Sequence, residues 1–449
     1  MTAFKKLITI SPLLFFIFAA AGGWAAPLSL TLDDFIQIAL KNNPEIEIAA
    51  QQYSGNKGVL TQARSLYYPR LSAGADLGRY SIEDLQPVEE DNVVQGLLKA
   101  TQLIYDFGRT TGLIDSSAFN LDASSEALKQ VYQNIVFDVK RNFYSVLESL
   151  RLITVAEEAV KNYEQQLYRA QKFYEAGVRT RIDVTNAEVN LSNQKLNLLR
   201  ANADYKTARV RLEKVLGEIP NNGNYELVTD EPALEDLAAS KPDMPDQLEN
   251  LLMTAQENRP GLKRFSYLVQ SAESAITQAK GDYWPSINAL GDYNKYETDI
   301  SSLRDQWQLS VGLTWEFFSG FETDGKVAEA SARLREVNAA LREFDLSITQ
   351  DVTDSYLRAD ENREGVNIAD QTLNLAKENL QLADGRYKAG IGDILEFNDA
   401  VLLLTENQSN LVVTYYNYLT ELARLERAIG VIPELANYDY FEAADSSSQ

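Results

Sequence analysis

Trp307-Gln308-Leu309-Ser310-Val311-Gly312-Leu313-Thr314-Trp315-Glu316-Phe317 is the stretch that decides how the chain is built. Its odd positions carry only large apolar side chains, and its even positions carry small or polar ones. A period of two places the first set on one face of a strand and the second on the other. One face is then apolar with aromatic rings at both ends, which is what a strand needs when lipid lies on one side and a wet lumen on the other. Taken alone, the stretch also fits the edge of a soluble sandwich. Residues 71–80 argue for lipid, because Leu71, Ala73, Ala75 and Leu77 alternate with Ser72, Gly74, Asp76 and Gly78. Residues 93–105 and 286–296 read as strands with less regular faces, where Lys99 and Lys295 intrude. The connecting loops 81–92 and 297–305 are polar and acidic, as outer loops are.

Around these strand pairs the period changes to that of helices. Residues 32–41 and 248–257 form short amphipathic helices, each stopped by an X-Pro pair, Asn43-Pro44 or Arg259-Pro260. A further helix then runs to about 67 or 283, where Pro69 or Pro285 ends it. After the strands, residues 113–176 contain neither Gly nor Pro, and a helix of that length spans about 95 Å. Along it Val139, Phe143, Val146, Leu150, Ile153, Ala156, Val160, Tyr163, Leu167 and Ala170 recur by threes and fours, the stripe of a coiled coil. The helix reaches a tip at Tyr174-Glu175-Ala176-Gly177-Val178 and a return helix leaves at once. The second half repeats this at Tyr387-Lys388-Ala389-Gly390-Ile391. A Gly after an aromatic is where a left-handed cap costs least, so each tip is the bend of a helical hairpin.

The two halves match at an offset of about 213 to 216 residues, the size of a domain rather than of a solenoid unit. Tyr68-Pro69 falls on Trp284-Pro285, the Tyr-x-Ala-Gly tips on each other, and Gly217-x-Ile-Pro220 on Gly430-x-Ile-Pro433. Phe107-Gly108 falls on Ser319-Gly320 less cleanly. The chain divides into a secretory signal at 1–25, a first repeat at 28–225, a linker at 226–244, a second repeat at 245–435 and a tail at 436–449 expected to be disordered. The signal reading rests on Lys5-Lys6, an apolar run and a small-residue site near Ala25; a membrane anchor is the alternative.

The full chain has 449 residues, a formal charge of −23, and no Cys or His. Without those two residues there is no thiolate, no imidazole base, no disulfide, no ordinary zinc site and no cysteine-linked lipid anchor. The acidic balance argues against nucleic acid as a partner, because phosphate contacts need clustered Lys and Arg. No catalytic constellation or cofactor site is expected. Gly320-Phe321-Glu322-Thr323-Asp324-Gly325-Lys326-Val327 nearly spells a phosphate loop, but Val327 stands where a Ser or Thr would hold magnesium.

Four strands cannot close a barrel, since the smallest need about eight. Two chains give a plugged barrel; three give twelve strands, an open lumen and twelve long helices about one axis, each repeat supplying a sixth of the ring. In their order and spacing from about residue 30 to 433, these features resemble the outer-membrane efflux proteins of the TolC type. That resemblance implies a mixed α/β membrane protein, with long coiled-coil hairpins forming a tunnel and four strands per chain contributing to a trimeric twelve-stranded barrel. It also implies outer-membrane lipid, a periplasmic adaptor and an inner-membrane pump as partners. In the family, acidic residues early in the last helix ring the tunnel's narrowest point, and Glu396 and Asp399 fall there. Threefold symmetry would gather six carboxylates able to filter charge and hold divalent ions. Two solvated carboxylates favoured by a helix N-terminus are the bland alternative. Family members lock the gate with a Tyr and an Arg of the second hairpin bonded to an Asp of the first. Tyr387 and Asp183 match two of these, and Gly392 replaces the Arg, leaving Arg179 or Arg181 as candidates for its work. Gly177, Val178, Gly390 and Ile391 match the tips that adaptors grip, although a bare Gly cap also explains them. The expected function is passive export through a gated duct. The alternatives are a conduit for secreted polypeptides and a periplasmic coiled-coil scaffold without a pore.

Overall fold

The computed structural model describes residues 28–82, 89–228, 232–297 and 304–431. The expected signal, the tail, residues 229–231 of the linker and the centres of the two strand-joining loops lie outside the described residues. In chain order the elements are β1 (Leu28–Leu30), α1 (Leu32–Asn42), α2 (Pro44–Ser65), β2 (Arg70–Ile82), β3 (Glu89–Tyr105), α3 (Arg109–Glu175), α4 (Arg181–Leu216), β4 (Tyr225–Leu227), α5 (Leu248–Asn258), α6 (Pro260–Gly281), β5 (Ser286–Glu297), β6 (Arg304–Thr314), α7 (Glu322–Lys388) and α8 (Ile394–Ala428). The second half repeats the first helix for helix. Both α3 and α7 have 67 residues, about 100 Å each.

Return helices α4 and α8 are only about half as long as α3 and α7, so each needs a second helix to cover the remaining length. In the first repeat α2 supplies it, and the seam between α2 and α4 explains two motifs. Asn43 caps α2 by accepting the Glu45 N–H at 2.8 Å, while its amide donates to the Val215 carbonyl of α4 at 2.6 Å. Pro44 at the first turn of α2 gives up an N–H that no helix would use. Gly217 turns left-handed at φ 76°, and a Cβ there would lie 2.2 Å from the Asn42 carbonyl oxygen. Gly430 does the same at φ 79° against Asn258 and Arg259. The Gly-x-Ile-Pro and X-Pro signatures are thus the two sides of one seam, made twice.

The four long strands pair antiparallel in the order β2-β3-β5-β6, so the two repeats meet at β3 and β5. Their register sorts the residues that blur the sequence pattern. Lys99 lies opposite Asp292, on the polar face with Ser72 and Gln308. Lys295 stands at the loop end of the apolar face and pairs with Asp305 at 3.2 Å. The apolar face joins Leu71, Leu98, Tyr293, Trp307, Leu309, Val311 and Leu313, all exposed in the isolated chain. β6 ends at Thr314, three residues short of the alternation that runs to Phe317. Its partner begins at Ser286 because Pro285 cannot extend it, and the Trp315 indole instead donates to the Tyr283 carbonyl at 3.1 Å. The loops are also shorter than the sequence suggests, since β2 runs to Ile82 and β3 starts at Glu89.

Each corner from strand to long helix turns through two left-handed residues, Phe107 and Gly108 before α3, Gly320 and Phe321 before α7. The corners therefore align one residue away from the match of Phe107-Gly108 with Ser319-Gly320. The described part of the expected linker from residue 232 to 244 is a strap laid across the helices. Arg151 of α3 donates to the Pro232 carbonyl at 2.6 Å, Leu237 is fully buried, Lys241 donates to Asn367 of α7 at 2.7 Å, and Tyr418 of α8 donates to the Pro242 carbonyl at 2.6 Å.

Candidate functional site

Both hairpins end at the same pole. At the first tip the Val178 N–H bonds back to the Phe173 carbonyl at 2.9 Å, and Gly177 turns at φ 70°. At the second, the Ile391 N–H bonds to the Arg386 carbonyl at 3.1 Å, and Gly390 turns at φ 74°. These are Schellman caps, closed by a glycine that has no Cβ to oppose the left-handed turn. Val178 and Ile391 are left exposed at the apex.

A small core joins the tips. Tyr163 of α3, Leu191 of α4, Tyr387 of α7 and Phe397 and Val401 of α8 are buried together. The Tyr387 ring stacks on Phe397 at 5.7 Å and meets Phe173 edge-on at 5.9 Å. Burial raises the Tyr387 phenol above its ordinary range, opposed by Arg179 and reinforced by Asp183.

The sequence-based candidates divide here. Asp183 does not bond Tyr387; its carboxylate accepts the Thr180 N–H at 2.9 Å and the Thr180 hydroxyl at 3.0 Å, which caps its own helix. Gly392 is buried, and a Cβ there would lie about 3 Å from the backbone of Arg386 and Tyr387, so this turn admits no Arg. Arg179 of the other hairpin contacts Tyr387 instead. Its guanidinium lies over the Tyr387 ring at 5.7 Å and reaches the Gly392 carbonyl at 3.4 Å. Arg181, the exposed first residue of α4, makes neither contact. Glu396 and Asp399 share one face of α8, but Glu396 is paired to Arg386 at 3.0 Å. Among the described residues Asp399 has no ion-pair partner.

A stronger tie between the hairpins escaped sequence reading. Arg169 of α3 donates to Asp384 of α7 at 2.8 Å, and Lys388 holds the other carboxylate oxygen of Asp384. Burial pulls the Asp384 carboxyl upward, and the hydrogen bonds and charges of Lys388 and Arg169 outweigh it, leaving it below the usual range. Nearby, Gln166 of α3 bonds Asn398 of α8. The available signal was position: Arg169 and Asp384 each lie one to two turns before their tip, and symmetry puts them at one height.

A sheet with one lipid-type face, set on helices about 100 Å long whose tips are tied together, has the layout of an outer-membrane channel with a periplasmic helical tunnel. The chain belongs to the outer membrane efflux protein family, whose model matches residues 35–218 and 251–431. It is 21% identical over 390 residues to the probable outer membrane lipoprotein SilC of Salmonella typhimurium, covering 86% of this chain and 82% of that one. It is likewise 21% identical over 415 residues to the outer membrane protein TolC of Escherichia coli, covering 89% and 82%. The crystal structure of the Campylobacter jejuni CmeC outer membrane channel superposes with a TM-score of 0.82 at 14% identity, covering 93% of this chain and 90% of that one. The family sets aside the reading as a scaffold without a pore.

Proposed function

We propose that three copies close into one duct, which passes substrates outward from an inner-membrane pump and its periplasmic adaptor, and that the helix tips gate it. The observation that carries this is that the chain has two unfinished edges on both of its layers. In the sheet these are β2 and β6. In the tunnel α4 packs on α3, α3 on α8 and α8 on α7, which leaves α4 and α7 outermost. Both carry exposed apolar residues seven apart: Ile182, Val189 and Leu196 on α4, Ile368, Leu375 and Leu382 on α7. A seven-residue spacing is the seam of a left-handed coiled coil. Edges of different sequence that match head to tail make a ring when the rotation closes.

In such a ring the tips converge. Asp399 from three copies would supply the unpaired charge, while Arg386 screens Glu396; the exposed Val178 and Ile391 would meet the adaptor. Bilayer recordings test the filter. The wild-type channel is expected to prefer cations, Asp399→Ala to remove most of that preference and Glu396→Ala/Asp399→Ala all of it. Unchanged selectivity in the double variant would refute the role of the ring.

A further inference from the structure

We infer that the cavity between α6 and α7, next to the sheet, is a binding site for an amphiphilic cation. The site is read from one chain; that its ligand is cargo rests on the duct reading above. The cavity measures about 960 Å³, at the upper end of what encloses a drug-sized molecule. Arg109, Asp282 and Lys326 stand at its sheet end, and the same three line a smaller cleft with Ser286 and Thr314. Those two are paired on the polar face of the sheet. The cavity therefore opens on the face that a closed duct turns to its lumen.

Its body is apolar and open because the helices carry small residues there. Ala275 and Ala279 of α6 line it, with Ala330 and Ala332 of α7 opposite. The repeat provides an internal control. With Pro44 set on Pro260 and Arg109 on Glu322, the starts of the paired helices, Ala275 falls on Val59 and Ala332 on Phe119. The first half thus has larger side chains at two positions where the second has only methyl groups. Asp282 falls on Leu66 and Lys326 on Leu113, so the charged end is also peculiar to the second half.

Charge decides what fits. Asp282 lies 2.6 Å from Arg109 and 3.0 Å from Lys326, Lys326 also holds Glu322 at 2.9 Å, and Arg333 holds Glu336 at 2.6 Å. Each of these cations is engaged by a carboxylate, including the lysine of the near phosphate loop, which disfavours an anionic ligand. Glu329 also lines the cavity, and among the described residues it has no ion-pair partner. Three cations stand against four carboxylates, so one negative charge is left over beside an apolar hollow. Its complement is a molecule with an apolar body and a single positive charge. The body covers the alanines, where removing apolar surface from water is favourable, and the charge meets Glu329.

Tetraphenylphosphonium and tetraphenylborate share one shape and carry opposite charges, which isolates the electrostatic part. In equilibrium dialysis of the full-length protein in detergent against the same detergent alone, the phosphonium should bind saturably at one site per chain and the borate should not. Glu329→Gln is expected to weaken phosphonium binding about fivefold, the weight of an ion pair open to water. Ala275→Val/Ala332→Phe, which restores the side chains of the first half, should weaken it at least about twentyfold by filling the space. Equal binding of the two ions, or unchanged binding in both variants, would overturn the assignment. Conductance of the unsubstituted protein is the separate check on the duct. Discrete steps without saturable phosphonium binding would refute the site alone, and saturable binding without steps would uphold the site and refute the duct.

Discussion

A chain carrying Leu375→Asp and Leu382→Asp is expected to remain folded but not to assemble. Both side chains are exposed in the isolated chain, at 66% and 61%, so their replacement removes nothing from the protomer core. Helical circular dichroism should be unchanged. In the ring each would be buried against α4 of the neighbour. Burying a leucine is worth about 1.5–3 kcal/mol, and an unpaired carboxylate in the same place adds a penalty of similar size. Two such losses at each of three interfaces sum to well over about 10 kcal/mol, enough to dissolve an oligomer of ordinary stability. Sedimentation in mild detergent checks this. Trimers of unaltered thermal stability would show that the seven-residue stripe faces water.

Asp384→Asn is expected to open the tips. The substitution keeps the shape of the side chain and removes the charge that Arg169 and Lys388 share. With the two partners about a third and a quarter exposed, solvent screening limits the tie to about 1 kcal/mol per chain. Three copies acting together give about 3 kcal/mol, or roughly a hundredfold rise in the open fraction, read as resting current in a planar bilayer. Lys172→Ala removes a pair confined to the outer surface of one helix and should leave the current alone. The pH dependence has a definite sign. Asp384 titrates below its ordinary value, so its contribution to closure is complete above about pH 4 and is lost as the pH falls through the lowered value. Resting current at pH 5 should match that at pH 7. A gate that opens between those values would have another switch, and the absence of His leaves no ordinary side chain for it.

Much of the architecture was legible because it is written in periods. A spacing of two over 307–313 and of threes and fours along 139–170 needs no knowledge of what lies opposite. The seam was half legible: the Gly and Pro signatures were visible in both repeats, but only packing shows that Gly217 touches Asn42. The contacts between the tips were the least legible part, since they join residues more than 200 positions apart. Asp183 matched a pattern by position, yet it is held by Thr180 three residues away, and Gly392, which departs from that pattern, sits in a turn too tight for a side chain. The ties that do cross the hairpins, from Arg169 and Arg179, run in the opposite sense, with the cations on the first hairpin. Nor could the faces of Lys99 and Lys295 be assigned before the register was known.

The mass of the purified particle tests the closure of the duct most directly. Light scattering or native mass spectrometry in detergent should find three chains per particle, and the same preparation should conduct in discrete steps. A single chain that stays soluble and folded without detergent would contradict the account.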